Sequence, residues 1–365
     1  MKILIAGGGT GGHFFSGVAV GEAFLTRNDT NTIVYVGTRN GIEARVGPAE
    51  GLDVRFISVA GIKGKGKLAR LKALAMLPLA LIQSMLLILK ERPTIVIGVG
   101  GYASGPVLLA ARLMGRKTGI VEQNSVAGAT NKILGKLVHK VFVAFEPAVK
   151  EFPAHKVEVT GNPIREGVVQ LLTLESTGTV GLGNLRKILV VGGSQGAHAV
   201  NVAMTEAVAG MDDALKERLF ITHQTGKGDV DMVTRGYEKA GVKAKVLPFI
   251  QEMAEAYRFA DLVVCRAGAL TVSELSISRR GSILVPYPHA IYDHQTTNAK
   301  MLVDAGAGEM IKQDDLLAEG LREAITRLSA SGRDLQLMAW NAGELARPQA
   351  AAEVVDTMYR LTGTP

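Results

Sequence analysis

Cysteine and aromatic residues are scarce in this sequence, and their scarcity excludes several kinds of protein. The single cysteine, Cys265, excludes an intramolecular disulfide and any cysteine-rich zinc site, and it favours a reducing, cytoplasmic setting. Aromatic residues make up only 5% of the chain and do not alternate with basic ones, so nucleic acid is the weakest candidate partner. Only four apolar residues separate Lys2 from the first glycines, and we therefore expect no secretory signal.

Long apolar runs are also missing. The best candidate, residues 73–89, is 17 residues long and contains Pro78, Gln83 and Ser84. A membrane-spanning helix needs about 20 predominantly apolar residues. We predict that this stretch forms an amphipathic or buried helix and does not span a membrane.

Length and charge indicate two domains and an anionic partner. The chain has 365 residues, of which 47% are hydrophobic, enough for two domains with sizeable cores. Residues 1–162 carry 20 Lys and Arg against 10 Asp and Glu, whereas residues 163–365 carry 21 against 24. The basic half therefore faces an anionic partner, which leaves phospholipid, a polyphosphate ligand and nucleic acid open.

The alternation of apolar runs with helical stretches predicts a doubly wound α/β protein. An apolar run at 2–6 ends in glycines and precedes a predicted helix at 16–26, and the same design returns at 187–191 with a helix at 199–209. Further strands are predicted at 32–36, 94–99, 119–121, 140–144, 219–223, 242–247, 262–265 and 282–285. Two such openings indicate two similar domains joined near residues 161–163. Also predicted are an irregular segment at 174–184 and a helix at 350–361 that docks back on the first domain.

Three glycine-rich loops follow predicted strands and point to a phosphate ligand. The first, Gly-Gly-Gly-Thr-Gly-Gly-His at 7–13, lacks the acidic residue that a dinucleotide site needs about 20 residues on, because residues 36–39 are Val-Gly-Thr-Arg. The second, at 192–196, adds the hydroxyl of Ser194, and the third occupies residues 100–106. Glycines let backbone N–H groups approach a phosphate, although a tight strand–helix turn would explain any one loop. Together the loops predict a ligand in the cleft between the domains.

Polar residues follow strands in both halves. His13, at the end of the first loop, is a candidate base or hydrogen-bond donor. Glu274 lies in the first turns of a predicted helix, where it would accept two hydrogen bonds from a ribose diol or serve only the helix dipole. A further polar cluster occupies residues 293–298. Since no histidines and carboxylates stand at metal-ligand spacing, we expect no catalytic metal.

Taken in order, these motifs resemble the MurG family, the peripheral membrane N-acetylglucosaminyltransferases that complete the lipid-linked precursor of peptidoglycan. They are Gly-Gly-Thr-Gly-Gly-His (8–13), Gly-Gly-Tyr-x-Ser-Gly-Pro (100–106), Glu-Gln-Asn (122–124), Gly-Asn-Pro-x-Arg (161–165), Gly-Gly-Ser-Gln-Gly-Ala (192–197), the segment 266–274 and Asp-His-Gln (293–295). Each motif is weak alone, but the ordered set covers nearly the whole chain. Ser16 and Ser282 depart from the family, which usually has proline at or near these positions; since neither position carries chemistry, we expect an effect on local rigidity and not on activity.

The resemblance implies a GT-B fold of two Rossmann-like domains. The first, 1–162 with a final helix at about 345–365, would bind the acceptor and the membrane, and the second, 163–344, would bind UDP-N-acetylglucosamine. The implied reaction transfers N-acetylglucosamine, with inversion, to the 4-hydroxyl of the muramyl sugar of undecaprenyl-diphospho-muramyl-pentapeptide, which turns lipid I into lipid II. No cofactor or metal would be required. The expected partners are these two substrates and an anionic membrane surface, at the cytoplasmic face of the bacterial inner membrane, and not nucleic acid.

The resemblance also implies roles for individual residues. Ser194 and Arg165 would contact the donor's diphosphate, and the backbone of Ile250 would bind the uracil. Glu274 would hold the ribose and Gln295 the sugar. The residues implied to line the nucleotide and phosphate site are Ala269, Leu270, Thr271, Val272 and Ser273. Those implied to complete it from the first domain are Thr10, Gly11, Gly12 and Asn124.

On the acceptor side, His13 is the candidate base, and it could instead bind the acceptor's diphosphate together with Gly101, Tyr102 and Ser104. For the membrane, a run without acidic residues between Asp53 and Glu91 predicts a docking surface, because basic residues attract anionic lipid and an apolar helix face inserts. Lys63, Lys65, Lys67, Arg70, Lys72 and Lys90 all fall in this run, and the apolar stretch 74–89 lies beside them. A solvated basic loop before a core helix is the alternative.

Three other functions remain open at this stage. One is a GT-B transferase with a different nucleotide sugar or lipid acceptor. Another is an NAD-dependent dehydrogenase, which the missing acid after the second strand disfavours. The third is a non-enzymatic module that binds a nucleotide sugar at the membrane, which would need Glu274 but not His13.

Overall fold

A computed structural model describes residues 1–59, 67–173, 186–193 and 195–363, without the side chains of residues 67–74 and 291. It divides into two compact units. The first comprises Met1–Glu166 and Arg347–Pro365, and the second Gly167–Ala346. The division falls four residues beyond the junction predicted at residue 162.

The first unit is built on a parallel sheet with the strand order β3-β2-β1-β4-β5-β6-β7. Its strands are β1 (Lys2–Ala6), β2 (Thr32–Gly37), β3 (Val54–Phe56), β4 (Ile95–Gly98), β5 (Lys117–Glu122), β6 (Lys140–Val143) and β7 (Val157–Val159). Its helices are α1 (Gly11–Arg27), α2 (Ile42–Ala49), α3 (Lys67–Glu91), α4 (Ser104–Leu113), α5 (Ala129–Leu137) and the first residue of α6 (Glu166–Thr173), with short 3₁₀ turns at Glu146–Glu151 and Ala154–Lys156.

The second unit repeats the design with the strand order β10-β9-β8-β11-β12-β13. Its strands are β8 (Lys187–Val191), β9 (Phe220–Gln224), β10 (Lys243–Leu247), β11 (Leu262–Cys265), β12 (Gly281–Leu284) and β13 (Gly308–Met310). Its further helices are α7 (His198–Ala209), α8 (Asp213–Lys216), α9 (Val230–Ala240), α10 (Met253–Phe259), α11 (Ala269–Ser278), α12 (His294–Asp304), α13 (Leu317–Ala330) and α14 (Gly332–Glu344), with a 3₁₀ turn at Ile291–Asp293.

The chain returns to the first unit through α15 (Ala350–Thr362), which packs on α1. The ring of Phe24 stacks on that of Tyr359 with centroids 5.9 Å apart. The amide of Asn31 donates to the Tyr359 hydroxyl at 2.7 Å. These contacts fix the final helix to the first sheet's helical layer.

The central strands are buried on both faces, as parallel strands between helices must be. Ile3, Leu4 and Ile5 of β1 and Val190 of β8 are at most 1% exposed. In each sheet the strand order reverses beside the first strand, at β1/β4 and at β8/β11. Ligands of open α/β sheets bind outside the carboxyl ends of strands at such a reversal. The loops that follow these four strands are therefore the expected ligand-binding positions.

Two details differ from the sequence predictions. Helix α1 begins at Gly11 rather than at residue 16, because Thr10 caps it with its side chain and the glycines form its first turn. Strands β3, β7 and β13 were not predicted, since each has only three residues, too few to show a period. The stretch 73–89 lies in the 25-residue helix α3. Among the helices in the described part of the chain, none has the length and apolar character to cross a membrane.

Candidate active site

The first glycine loop leaves β1 with a backbone that side chains rarely adopt. Gly8 and Gly9 have φ values of 134° and 84°. The N–H of Gly7 donates to the carbonyl of Val36 at 2.9 Å, which ties the loop to β2. Thr10 is the N-cap of α1, so Gly11 and Gly12 stand in the first turn, where backbone N–H groups have no partner within the helix.

A carboxylate that the sequence analysis missed lies beneath this loop. Glu43 is 1% exposed, and it accepts hydrogen bonds from the N–H of Gly9 at 2.8 Å and the N–H of Thr38 at 2.7 Å. A Cβ atom on Gly8 or Gly37 would come within 2.4 Å of the Glu43 side chain. These glycines therefore make room for a buried anion that holds the loop. The only signal in the sequence is a glutamate in the first turn of a helix, which is too common to single out.

The third loop interlocks with the first. The N–H of Gly8 donates to the carbonyl of Gly100 at 3.3 Å, and a Cβ on Gly101 would come within 2.2 Å of the Gly8 oxygen. The Ser104 hydroxyl is buried and donates to the carbonyls of Ala6 and Gly100 at 2.7 and 2.8 Å. Ser104 thus binds the loop itself, while Tyr102 is 52% exposed beside it.

His13 stands where these two loops meet. Its Nδ1 lies 3.1 Å from the hydroxyl oxygen of Thr10. A Cβ on Gly100 would come within 2.8 Å of the His13 Nε2, so the ring lies directly on the third loop. An imidazole held at the carboxyl ends of β1 and β4 can accept a proton or donate a hydrogen bond to an anion.

The Glu-Gln-Asn segment is also internally bonded. Glu122 is buried, and its carboxylate accepts from the N–H of Asn124 at 3.1 Å and from the N–H of Gly128 at 3.0 Å. Gln123 donates to the carbonyl of Val99 at 2.9 Å, which connects the end of β5 to the end of β4. Asn124 is consequently fixed next to the loops of the switch point.

Arg165 lies in the first unit between two carboxylates. Its guanidinium is 2.7 Å from Glu22 and 3.1 Å from Glu50. Burial tends to lower the pKa of Arg165, but the hydrogen bonds and charges of these two glutamates raise it above its ordinary value. The charge of Arg165 is therefore already compensated by protein groups.

In the second unit a cavity of about 590 Å³ opens at the switch point between β8 and β11. Its lining consists of Val191, Gly192, Gly193, Gly196, Ala197, His198, Ala199, Arg266, Gly268, Thr271, Tyr287, Gln295 and Gln313. The second glycine loop, the start of α11 and the start of α12 thus contribute to one cavity, and Thr271 and Gln295, predicted to bind the donor, both line it. Ser194 lies outside the described residues.

The backbone of Ile250 is connected to the glycine loop through one side chain. The N–H of Ile250 donates to Oε1 of Gln224 at 2.8 Å, and the amide of Gln224 donates to the carbonyl of Gly193 at 2.9 Å. Gln224, at the end of β9, therefore connects the predicted uracil-binding residue Ile250 to the predicted phosphate-binding loop and fixes their relative positions.

Helix α11 begins at the cavity. Gly268 is its N-cap residue, and Ala269 and Val272 are buried in the interior, with the N–H of Val272 bonded to the carbonyl of Gly268 at 2.9 Å. The Ser273 hydroxyl donates to the carbonyl of Ala269 at 3.1 Å. Leu270 is partly exposed, like Thr271 of the cavity lining. Contacts from Val272 and Ser273 to a ligand remain a prediction.

Glu274 is partly buried in the second turn of α11. Burial raises the pKa of Glu274 to about 7, and the hydrogen bond from the Tyr257 hydroxyl at 3.1 Å lowers it by less. Tyr257 is 2% exposed on α10 and was not singled out from the sequence. A carboxylate that has one protein donor and an unusually high pKa gains from further donors such as ribose hydroxyls.

Two further polar groups of the cavity, Gln295 and Arg266, hold the segment that follows β12. Gln295 accepts from the N–H of Tyr287 at 2.9 Å. Arg266 donates to the carbonyls of Val285 and Pro286 at 3.1 and 3.2 Å, and its guanidinium lies over the Tyr287 ring. Arg266 and Gln295 therefore shape the same side of the cavity.

The two departures from the family pattern lie in the interior. Ser16 is buried in α1 with its hydroxyl 3.5 Å from the Gln123 amide, and Ser282 is buried in β12.

Across the described ranges, no three His, Cys, Asp or Glu side chains are grouped so that they could hold a metal ion. Independence of metal remains a prediction for the reaction.

Comparisons with known proteins agree with this architecture. Residues 3–143 match the glycosyltransferase family 28 N-terminal domain, and residues 187–354 match the family 28 C-terminal domain. A Myxococcus xanthus protein is 48% identical over 361 residues, with 99% of this chain and 93% of the relative covered. A Geobacter sulfurreducens protein is 46% identical over 362 residues, with 99% of both covered. Both are named UDP-N-acetylglucosamine–N-acetylmuramyl-(pentapeptide) pyrophosphoryl-undecaprenol N-acetylglucosamine transferase.

Solved structures lead to the same fold. The crystal structure of Acinetobacter baumannii MurG matches with a TM-score of 0.79 and 34% identity over 98% of this chain and 99% of that one. A UDP-GlcNAc 2-epimerase from Neisseria meningitidis shares the fold, with a TM-score of 0.68 at 13% identity, 99% of this chain and 100% of that one being covered. The predicted GT-B fold of two Rossmann-like domains is thereby confirmed.

Proposed function

The chain belongs to the MurG family of family 28 glycosyltransferases, and from this premise we propose how its residues carry out the reaction. It is a glycosyltransferase that moves N-acetylglucosamine from UDP-N-acetylglucosamine to undecaprenyl-diphospho-muramyl-pentapeptide, so that lipid I becomes lipid II. The observation that carries this function is 48% identity along essentially the full chain. We infer that the second unit binds the donor and the first unit binds the acceptor.

The donor's nucleoside binds along the carboxyl ends of β9 and β11. Glu274 accepts hydrogen bonds from the ribose diol, and Tyr257 orients its carboxylate. Because Gln224 takes the N–H of Ile250, the carbonyl of Ile250 is the backbone group that accepts from the uracil N3–H. Support for this arrangement comes from the short chain of bonds that connects Ile250 to the glycine loop.

The donor's diphosphate lies at the glycine loop of the second unit. The N-termini of α7 and α11 meet at the cavity, and helix N-termini attract phosphate through their N–H groups and dipole. Thr271 and Ser194 add hydroxyl groups, and Gln295 binds the sugar. Arg165 reaches the diphosphate only by exchanging at least part of its bonding to Glu22 and Glu50.

The first unit supplies the acceptor side. The oxygen of the muramyl 4-hydroxyl attacks the anomeric carbon, the bond from that carbon to the diphosphate breaks, and UDP leaves with inversion. His13 takes the hydroxyl proton, with Thr10 fixing its Nδ1 side. Thr10, Gly11, Gly12 and Asn124 complete the donor site. Gly101 and Tyr102 contact the acceptor's diphosphate, while Ser104 keeps the third loop in shape.

The first unit also docks on the cytoplasmic face of an anionic bacterial membrane. Leu79, Ile82, Leu86 and Leu89 are 49–60% exposed on α3, and their spacing puts them on one face of the helix. Leu77 is only partly exposed. Of the basic run, Lys63 and Lys65 lie outside the described residues, as do the side chains of Lys67, Arg70 and Lys72. The charge excess of the first half supports an electrostatic contribution from this run.

Radiolabel transfer tests the function directly. The purified protein is incubated with lipid-linked muramyl-pentapeptide and radiolabelled UDP-N-acetylglucosamine, UDP-glucose or UDP-N-acetylgalactosamine. We expect label in the lipid fraction only from UDP-N-acetylglucosamine, and equal rates with and without EDTA. Transfer from another nucleotide sugar would overturn the donor assignment, and loss of activity in EDTA would overturn metal independence.

A further inference from the structure

A chain of polar side chains in the second unit has no part in the function proposed above. It starts in the interior, where the hydroxyl of Tyr237 lies 2.8 Å from Nδ1 of His223. Nε2 of His223 lies 3.0 Å from Oδ1 of Asn201. The Asn201 amide donates to Asp229 at 2.7 Å, and Asp229 lies 3.0 Å from Nδ1 of His198. This hydrogen-bonded network of side chains therefore extends from the core to the surface and ends at His198.

His198 is the end that faces solvent and the donor cavity. It is the first residue of α7, with 74% of its side chain exposed. It lines the cavity beside Gly192, Gly193 and Gly196, the loop that we assign to the diphosphate. The imidazole is thus accessible to a ligand at that loop.

The buried residues of this hydrogen-bonded network have defined donor and acceptor roles. Burial lowers the pKa of His223 to about 3, so this ring is neutral and carries one proton. The amide group of Asn201 already donates to the carbonyl of Thr225 at 2.8 Å and to Asp229, which leaves its oxygen to accept from Nε2–H of His223. The Tyr237 hydroxyl then donates to Nδ1 of His223. Every member has one orientation that satisfies all of these bonds.

This orientation keeps Asp229 ionised and directed at His198. Burial tends to raise the pKa of Asp229, but the hydrogen bonds from Asn201 and His198 lower it below its ordinary range. Both carboxylate oxygens of Asp229 lie 3.0 Å from Nδ1 of His198. Nδ1 of His198 therefore faces the carboxylate, and Nε2, on the opposite side of the ring, is left to a ligand at the glycine loop.

The proposed donor site gains from a side chain of the second unit that can donate a hydrogen bond to the diphosphate. Arg165 is compensated by Glu22 and Glu50. Of the two basic side chains that line the described part of the cavity, Arg266 is bonded to two backbone carbonyls and to Gln313. His198 is held only on its Nδ1 side by the bonds described above, and it stands on the glycine loop itself.

We propose that His198, oriented by Asp229, binds the diphosphate of the nucleotide sugar through Nε2–H and stays bound to it as UDP departs. The assignment rests on the proposed donor site. His198 is the binding residue, and Asp229, Asn201 and His223 are positioning residues that act through it.

Affinities for UDP and for uridine test this proposal, because uridine has the same base and ribose but no phosphate. We compare the wild type with His198→Gln, which is neutral, with His198→Arg, which restores a cation, and with Lys227→Ala, which removes a nearby exposed cation outside the cavity lining. His198→Gln should weaken UDP binding about five- to twentyfold and leave uridine binding unchanged, since the lost contact is charge-assisted but solvent-exposed. His198→Arg should recover most of the UDP affinity, and Lys227→Ala should bind both ligands like the wild type.

Asp229→Asn tests the orienting role. This variant should weaken UDP binding less than His198→Gln does, and the double variant should be no weaker than His198→Gln alone, because both changes remove one coupled interaction. The proposal is overturned if His198→Gln binds UDP like the wild type, or if it loses uridine and UDP affinity equally. Wild-type protein that binds uridine but gains nothing from the diphosphate would instead overturn the proposed donor site.

Discussion

Two carboxylates, the buried Glu43 and the partly buried Glu274, show how much a residue's surroundings decide its role. Glu43 is enclosed by glycines and accepts two backbone N–H groups and the Thr38 hydroxyl, so its charge is satisfied by the protein. Glu274 accepts one hydroxyl, from Tyr257, and its pKa is raised to about 7. The first carboxylate therefore builds the loop, and the second is available to a ligand.

The binding of uridine should depend on pH through Glu274. Below about pH 6 the carboxyl is protonated and accepts poorly, and as pH rises through its pKa of about 7 the carboxylate can accept from both ribose hydroxyls. Affinity should therefore increase from pH 6 to pH 8. Uridine is the probe of choice because it has no phosphate that titrates in this range. Glu274→Gln should abolish the pH dependence, and the exposed-site control Glu255→Gln should retain it.

Donor kinetics give a second readout of the same residue. Glu274→Ala should raise the donor KM roughly ten- to hundredfold, the effect of losing a charge-assisted hydrogen bond of about 1.5–3 kcal/mol. If a folded Glu274→Ala protein keeps its donor KM and kcat, Glu274 serves only the dipole of α11.

Kinetics of a His13 variant distinguish two roles for this residue: a catalytic base would affect kcat, and a ligand of the acceptor's diphosphate would affect the acceptor KM. As the base, it supplies about 10²–10⁴-fold in rate, so His13→Ala should lower kcat by that factor with UDP affinity nearly intact. The control Thr10→Val removes the hydroxyl beside Nδ1 and should have a smaller effect. A normal kcat with a raised acceptor KM would make His13 a ligand of the acceptor's diphosphate instead.

At the scale of elements, the sequence predicted the strands that belong to a repeated pattern, and it did not predict short strands or residues that belong to no pattern. Apolar runs that end in glycine predicted β1 and β8 because buried parallel strands need them. The three-residue strands have no period, and Glu43 and Tyr257 carry no motif, since their partners are distant in sequence. Arg165 was predicted to contact phosphate, and its bonds to Glu22 and Glu50 depend on tertiary contacts that no local pattern encodes.

A Glu43 variant tests whether this carboxylate stabilises the conformation of the first glycine loop. In Glu43→Gln an NH₂ group replaces one of the oxygens that accept from Gly9 and Thr38, so one partly buried N–H loses its acceptor. We expect a loss of about 1–3 kcal/mol in the free energy of unfolding, with faster hydrogen exchange in residues 7–10 and unchanged uridine binding. The exposed change Glu146→Gln is the control. Unchanged exchange in this loop would show that the glycines hold their shape without the carboxylate.

On the scale of the whole molecule, charge and apolar surface are unequally distributed. The first half carries twice as many basic as acidic residues, whereas the second half has a slight acidic excess. The exposed leucines and isoleucine of α3 belong to the same basic half. A lipid acceptor is reached at a membrane, and the proposal that the first unit docks there rests on this distribution.

Binding to vesicles of anionic and zwitterionic lipid should separate the two contributions. Changing Lys63, Lys65, Lys67, Arg70 and Lys72 to Gln should remove the salt-sensitive part, because the Debye length falls to about 3 Å in 1 M salt. Changing Leu79, Ile82, Leu86 and Leu89 to Ser should remove the part that persists in high salt.

The matched control for the apolar variant changes Leu337 and Trp340, equally exposed on α14 of the second unit, to Ser. It should bind vesicles like the wild type. All three variants should retain activity on a soluble, short-tailed acceptor, since none of these residues is assigned to chemistry. If neither set of changes in the first unit affects vesicle binding, α3 is not the docking surface. The basic excess would then serve the acceptor's diphosphate, and an acceptor KM that rises in the five-residue Gln variant would show this.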